Sequence, residues 1–171
     1  MRKDCAMASR AQLGAVTPGL YTPEQRVRRD DTIWTTIQAV LAPLQFLVFL
    51  ISVFLVLRYL AWGVGYEVAT WSILIKTGFL YLIMITGAIW EKVVFGQYLF
   101  APAFLWEDVF SFVVIALHSA YLWALFTGQV AADGQMLIAL AAYAAYVINA
   151  GQFLMKLRAA RLQAGAAEAL A

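Results

Sequence analysis

Three carboxylates and the single histidine are the side chains of this chain best suited to acid–base chemistry. Glu107, Ser111 and His118 are separated by offsets of 4 and 11 residues, which keeps them on one helical face. Asp108 follows directly, about 100° around that helix, and Glu91 precedes it in the sequence. A buried carboxyl group can donate a proton, and a neutral imidazole can relay one or ligate a metal. The pattern predicts an acid–base site near the start of a helix.

Each of these residues also has an ordinary structural explanation. The helix dipole favours carboxylates at a helix N-terminus, which would account for Glu107 and Asp108. The dipole does not account for His118, which lies near the middle of its apolar segment. A buried histidine can, however, simply be hydrogen-bonded within the core. Both explanations stay open for it at this point.

Polar side chains form one stripe on each of the other apolar segments. They are Gln38 and Gln45 in the first segment, and Asn149, Gln152 and Lys156 in the last. Their ordinary role is hydrogen bonding between helices. Lys76, about two turns into the second segment, could instead extend its amine to the membrane interface. Trp90, Glu91 and Lys92 close that segment, where an interfacial tryptophan and solvated charges are usual.

The elements that must position these residues are membrane-spanning helices. Of the 171 residues 64% are hydrophobic and 13% are charged, whereas about a quarter are charged in a soluble domain. Four apolar segments are each long enough to cross a bilayer core of about 30 Å, where backbone groups must bond within their own segment. They cover roughly residues 34–60, 68–90, 109–126 and 136–155. The prediction is an all-α fold, an integral membrane four-helix bundle with antiparallel neighbours.

The flanking segments complete the predicted organisation. Residues 1–20 are expected to form a disordered tail without a signal peptide, residues 21–162 the four-helix domain, and residues 163–171 a C-terminal tail. Thr22, Pro23 and Gln25 predict a capped short helix whose arginines suit lipid headgroups. Lysine and arginine are concentrated beside both termini, and the positive-inside rule therefore predicts that both termini are cytoplasmic.

The predicted loop over residues 91–108 is unusually rich in aromatic residues. We expect it to lie in the membrane interface or to fold back into the bundle, with Pro102 ending it before the third spanning helix. The supply of aromatic rings in the whole chain, six Trp, eight Tyr and eleven Phe, suits a large flat ligand that stacks on them.

Several classes of function are excluded by what the sequence lacks. The net charge of +2 gives no electrostatic basis for binding nucleic acid. The single Cys5 cannot form a disulfide within the chain or a cysteine metal cluster. One histidine cannot build a bis-histidine haem site or a di-metal site in a single chain. Catalysis should therefore rely on carboxylates.

Four stretches resemble the 2-vinyl bacteriochlorophyllide hydratases. The hallmark is residues 86–111, TGAIWEKVVFGQYLFAPAFLWEDVFS. Supporting stretches are LAPLQFLVFL at 41–50, ALHSAY at 116–121 and AAYAAYVINAGQF at 141–153. The resemblance covers roughly residues 21–162 and implies a cofactor-independent hydro-lyase of bacteriochlorophyll biosynthesis. Water would add across the C3 vinyl group of chlorophyllide a or bacteriochlorophyllide, giving a 1-hydroxyethyl substituent.

The resemblance also implies a photosynthetic host, a multi-pass protein of the bacterial inner membrane, and a magnesium chlorin and water as partners. Contact with neighbouring enzymes of the pathway stays open. A non-catalytic chlorin carrier or assembly factor is the main alternative, because it would use the same pocket without needing carboxylates. A small transporter or a scaffold subunit are further alternatives, but the inverted repeats typical of a transporter are missing.

We assign hypothetical roles to the residues of this site. Glu107 is the preferred acid, with Asp108 or Glu91 as the base. His118 would ligate the chlorin magnesium or complete a proton relay, and Lys92 or Lys76 would pair with the substrate propionate. Trp90, Trp106 and Tyr98 would stack on the ring. Further substrate-binding candidates are Ser111, Tyr121, Asn149 and Gln45.

Overall fold

The computed structural model describes residues 20–168, without the side chains of residues 163, 164 and 166–168. Within this range the chain forms five α-helices and no strand. They are α1 (Pro23–Asp31), α2 (Ile33–Trp62), α3 (Tyr66–Phe95), α4 (Leu105–Thr127) and α5 (Ala132–Glu168). Residues 1–19 of the expected N-terminal tail lie outside the described residues, as do residues 169–171. In the expected C-terminal tail, α5 continues to Glu168.

Four of the described helices are long and apolar enough to cross a membrane: α2, α3, α4 and residues 132–162 of α5. This confirms the all-helical prediction with four apolar spans. The predicted bounds of the long loop are wrong, because α3 continues to Phe95 and α4 begins at Leu105. Gly96 ends α3 in the left-handed conformation, with φ of 87°, and donates to the Lys92 carbonyl. Glu91, Glu107 and Asp108 are therefore helical residues rather than loop residues.

The short helix α1 begins as the sequence predicts. The Thr22 side chain accepts from the Gln25 backbone amide at 3.3 Å, and the Gln25 side chain accepts from the Thr22 amide at 2.9 Å. Pro23 occupies the first helical position, where its missing amide hydrogen removes no helical bond. This reciprocal capping holds α1 at the start of the bundle, where it packs against α3.

The spanning helices pack as two antiparallel hairpins, α2 with α3 and α4 with α5. The hairpins join through contacts of α2 with α5 and of α3 with α4. Connections of three and four residues, at 63–65 and 128–131, impose the antiparallel arrangement. One end of the bundle therefore collects α1, the end of α3, the start of α4 and the later part of α5. The buried apolar core includes Phe49, Val56, Ile73, Leu80, Val114 and Tyr143.

Candidate active site

Three carboxylates lie together at this end of the bundle, and we call them the carboxylate cluster: Glu91, Glu107 and Asp108. Each is at most 5% exposed. Glu91 comes from the last turns of α3, and the other two lie in the first turn of α4. The carboxyl groups of Glu91 and Asp108 are close neighbours, because they accept from two consecutive backbone amides. Two buried carboxylates repel each other when both are ionised, so the pair favours the state that holds one proton.

The connection between α3 and α4 folds back over this carboxyl pair. The Phe100 amide donates to Asp108 Oδ2 at 2.6 Å, and the next amide, that of Ala101, donates to Glu91 Oε2 at 3.3 Å. Phe100 has a φ of 60°, a left-handed conformation that bulky residues rarely adopt. Its ring stacks on Phe112, with ring centroids 5.5 Å apart. The strained residue thus aims two consecutive amides at two carboxyl groups.

Glu107 has a different partner from the other two carboxylates. Lys156 of α5 donates to Glu107 Oε2 at 2.7 Å, and its amine also donates to the Ala103 carbonyl. The same amine lies 4.9 Å from the centroid of the Phe104 ring. Glu107 therefore has a direct counter-charge, whereas Glu91 and Asp108 have backbone amides and each other.

A group of aromatic rings lies at the same end of the bundle as the cluster. Trp90, Phe95 and Phe104 contact one another edge to face, with centroids 5.6–5.7 Å apart. The Trp90 indole donates to Thr35 Oγ1 at 2.9 Å, which fixes the ring against α2. Tyr21 stacks on Phe95 at 5.8 Å, and its burial raises the pKa of the Tyr21 hydroxyl. Of the rings predicted to stack on a ligand, Trp90 belongs to this aromatic group.

A groove of about 420 Å³ opens beside the ion pair of Glu107 and Lys156. The small side chains of Ala159 and Ala160 form part of its wall. Its remaining lining residues are Leu20, Gln152 and Met155. Of the carboxylate cluster, Glu107 lines this groove.

Three predicted ligand-binding residues lie on the outer surface near this end. The side chains of Trp106 and Tyr98 are 66% and 61% exposed. Lys92 is also exposed, donates to the Gly96 carbonyl at 2.8 Å and lies 5.3 Å from the Tyr98 ring. These side chains face the surroundings of the bundle, not the carboxylate cluster.

The other predicted site residues lie deeper in the bundle. Ser111 accepts from the Asn149 amide at 2.9 Å. His118, 11 residues beyond Glu107, lies about 16 Å further along α4. Lys76 is completely buried, with its amine 3.9 Å from the Tyr146 ring, so the interpretation that it reaches the interface is wrong. Gln45 and Tyr121 are buried as well.

Comparison with known proteins identifies the family. The model of the 2-vinyl bacteriochlorophyllide hydratases matches residues 21–159. The chain belongs to this family. A protein of that name from Rhodobacter capsulatus is 73% identical over 150 residues, covering 88% of this chain and 87% of the relative. One from Cereibacter sphaeroides is 75% identical over 150 residues, covering 87% and 92%. No solved structure matches.

The match to the hydratase family confirms the resemblance found in the sequence, and it spans the whole carboxylate cluster together with Lys156. Sequence reasoning missed two features of the site. The sequence places Lys156 on a polar stripe with Asn149 and Gln152, but it does not reveal that Lys156 pairs with Glu107 on α4. The amides of Phe100 and Ala101 carried no signal, because backbone direction in a loop is not visible in residue types. Among residues 20–168, no group of three or more His, Cys, Asp or Glu is arranged to hold a metal ion.

Proposed function

We propose that this protein is a cofactor-independent hydratase. It adds water across the C3 vinyl group of chlorophyllide a or bacteriochlorophyllide and forms the 1-hydroxyethyl substituent. One observation carries the mechanism: the carboxyl groups of Glu91 and Asp108 are buried and lie side by side under two consecutive loop amides. The names of the two relatives support the reaction.

The first step is protonation of the vinyl group. The protonated member of the carboxyl pair gives its proton to the terminal carbon, and the π electrons of the double bond form the new C–H bond. The cation left on the inner carbon is delocalised into the macrocycle. The carboxylate that remains stabilises this positive charge in a site from which most water is excluded.

The second step restores the site. Water attacks the cation through its oxygen, forming the C–O bond, and one water proton passes to the carboxylate. The pair again holds one proton, so the reaction consumes only the vinyl compound and water. Two carboxyl groups in contact can thus act as acid and base in turn. The Phe100 and Ala101 amides hold their oxygens in place throughout.

Glu107 is not the proton donor in this mechanism, although the sequence favours it as the acid. The proton donor is instead a member of the carboxyl pair. Because Glu107 is paired with the Lys156 amine at 2.7 Å, we assign it electrostatic stabilisation of the cation and not proton donation. Asp108 and Glu91 become the acid and base together. His118 is not used as a magnesium ligand here, because its ring is only 1% exposed in the bundle core.

The macrocycle is proposed to bind at the same end of the bundle. Trp90 and the groove beside Glu107 bring the vinyl edge toward the carboxyl pair. Tyr98 and Trp106 offer rings to the part of the chlorin that stays at the membrane surface, and the exposed Lys92 amine suits its propionate. Ser111 and Asn149 continue the polar lining from the cluster toward the middle of the bundle.

The location follows from the arrangement of charges. Arg26, Arg28, Lys92 and Arg158 all belong to the end of the bundle that holds the carboxylate cluster. The positive-inside rule then puts both termini and the active site at the cytoplasmic face of the bacterial inner membrane. Residues 21–162 would act as one unit there, and neighbouring enzymes of bacteriochlorophyll biosynthesis could exchange substrate with it.

The test is incubation of membranes containing the protein with chlorophyllide a and no added cofactor. We expect a blue shift of the Qy band and a product heavier by one water. A shifted spectrum with unchanged mass would instead favour the chlorin carrier, and no change in either would contradict both. Thr77→Val is a suitable control variant, because this hydroxyl bonds the Ile73 carbonyl of its own helix, away from the cluster.

A further inference from the structure

A second group of polar residues extends from the middle of the bundle toward the carboxylate cluster. We call it the polar column: Gln45, Lys76, His118, Asn149 and Gln152. The first four residues are buried, at 0–8% exposure, and the Oε1 atom of Gln152 is buried as well. They come from all four spanning helices.

Each member of the polar column has a buried polar atom without a hydrogen-bond partner among the described residues. These atoms are Gln45 Oε1, Lys76 Nζ, His118 Nε2, Asn149 Oδ1 and Gln152 Oε1. His118 Nδ1 lies 2.8 Å from the Val114 carbonyl, which can only accept. Nδ1 therefore carries the hydrogen, and Nε2 of the neutral ring is an acceptor. The column thus presents four acceptors and one amine donor.

Ring contacts show that Lys76 and His118, the members of the column in the middle of the bundle, lie close together. The Lys76 amine lies 3.9 Å from the Tyr146 ring, and the His118 ring lies 5.9 Å from that of Tyr143. Both tyrosines contact the ring of Phe49, at 4.9 and 5.5 Å. Lys76 and His118 therefore lie around one aromatic centre, and Gln45 precedes Phe49 by one turn of α2.

Asn149 and Gln152, the members of the column on α5, connect this aromatic centre to the proposed active site. Asn149 follows Tyr146 by one helical turn and bonds Ser111, which follows Glu107 by one turn on α4. Gln152 lines the groove together with Glu107. The column ends beside the carboxylate cluster.

The combination of four unpaired acceptors and one unpaired amine indicates which kind of ligand can bind. An anion would suit the Lys76 amine, but the lone pairs of the four acceptors would repel it. A metal cation would suit the acceptors, but the amine would repel it. Water donates two hydrogen bonds and accepts two, and it binds where buried polar groups need partners. It is also small enough to lie between packed helices.

We propose that the polar column binds a file of water molecules that supplies the reactant water to the carboxylate cluster from the interior of the bundle. The supply of reactant rests on the proposed hydration, whereas the water site does not. A route separate from the groove lets water reach the cation while the macrocycle covers the cluster. Lys76 and His118 hold the inner end of the file, and Asn149 and Gln152 its outer end.

Hydroxyl-radical footprinting in lipid nanodiscs tests for the water. Radicals formed from bound water by X-rays oxidise adjacent rings even when these are buried. We expect oxidation of Tyr143 and Tyr146 in the wild type, and a fall of several-fold in Lys76→Met combined with Gln45→Leu. Thr77→Val should keep the wild-type label. Unlabelled tyrosines in the folded wild type would overturn the proposal without any variant.

Kinetics test the delivery of water. Lys76→Met should lower kcat about tenfold with KM unchanged, because the chlorin binds elsewhere and only the supply of water is impaired. Thr77→Val should leave both constants unchanged. An unchanged kcat in Lys76→Met would overturn the delivery. A wild type that shows the footprint but no hydration would contradict the proposed function and leave the water site standing.

Discussion

The carboxylate cluster and the polar column are both groups of buried polar residues, but only the side chains of the cluster are fully paired. At the end of the bundle, Glu107 bonds Lys156, and Asp108 bonds the Phe100 amide. In the middle of the bundle, the Lys76 amine and His118 Nε2 have no hydrogen-bond partner among the described residues. Burial does not explain the difference, because the three carboxylates are 4–5% exposed and the first four members of the column 0–8%.

The difference follows from where backbone amides are available. Past the first turn of a spanning helix every amide is used by the helix itself. A side-chain acceptor there can pair only with other side chains or with water. Past the end of α3 the backbone leaves the helix, and the amides of Phe100 and Ala101 are free to bond carboxyl groups. Fixed charges are therefore held at the end of the bundle, and the middle retains unpaired polar atoms.

The largest expected effect separates the carboxyl pair from Glu107. Asp108→Asn should lower the rate of hydration about 10³-fold, because the pair loses its exchange of one proton between acid and base. Glu107→Gln should cost about tenfold, since only electrostatic stabilisation is lost. Initial rates of product formation at equal protein levels measure both. A larger loss of rate in Glu107→Gln than in Asp108→Asn would show that Glu107 is the acid. Full activity in Glu107→Gln would show that Glu107 takes no part in the mechanism.

The next effect concerns the ion pair. Lys156→Met should lower the free energy of unfolding by about 2 kcal/mol, because Glu107 keeps a buried charge without a partner. We expect less than for a fully buried pair, since the Lys156 side chain is 24% exposed. Thermal unfolding in detergent measures the loss. Adding Glu107→Gln to this variant should restore most of it; a double variant no more stable than Lys156→Met would show that the pair is not responsible.

An opposite sign is expected in the polar column. Lys76→Met should raise the free energy of unfolding by about 1 kcal/mol, because an amine without a counter-ion is replaced by an apolar chain of similar length. Lys92→Met, at an exposed position, should change it by less than about 0.5 kcal/mol. The same unfolding measurement compares them. If Lys76→Met were strongly destabilising, the Lys76 amine would be paired with an anionic group.

The smallest effect is a hydrogen-bond bridge in the same region. Ser52 lies 2.7 Å from the Ser72 hydroxyl and 2.6 Å from that of Tyr143. Ser52→Ala should cost about 0.6 kcal/mol, typical of hydrogen bonds between membrane helices. Thr77→Val should be nearly neutral, because its hydroxyl bonds only the carbonyl of its own helix turn. Equal losses in the two variants would mean that bridging between helices adds nothing.

Local patterns in the sequence determined the helices, the cap of α1 and the family. Apolar length predicts a spanning helix because the backbone must satisfy its own hydrogen bonds within each segment. The cap needs only Thr22, Pro23 and Gln25, which are neighbours in the chain. The predicted end of α3 is too early because the charges of Glu91 and Lys92 indicate a helix end there, whereas the helix continues to Phe95 and ends at Gly96.

Tertiary structure alone decided which polar groups meet. Lys156 reaches Glu107 across 49 residues of sequence, and Lys76 is covered by Tyr146 instead of extending to the interface. A stripe of residues fixes the face of a helix, but not the rotation and depth at which that face packs against its neighbours. Those depend on how all four spanning helices fit together, which is why the same sequence pattern gave a paired site at one end of the bundle and unpaired polar atoms in its middle.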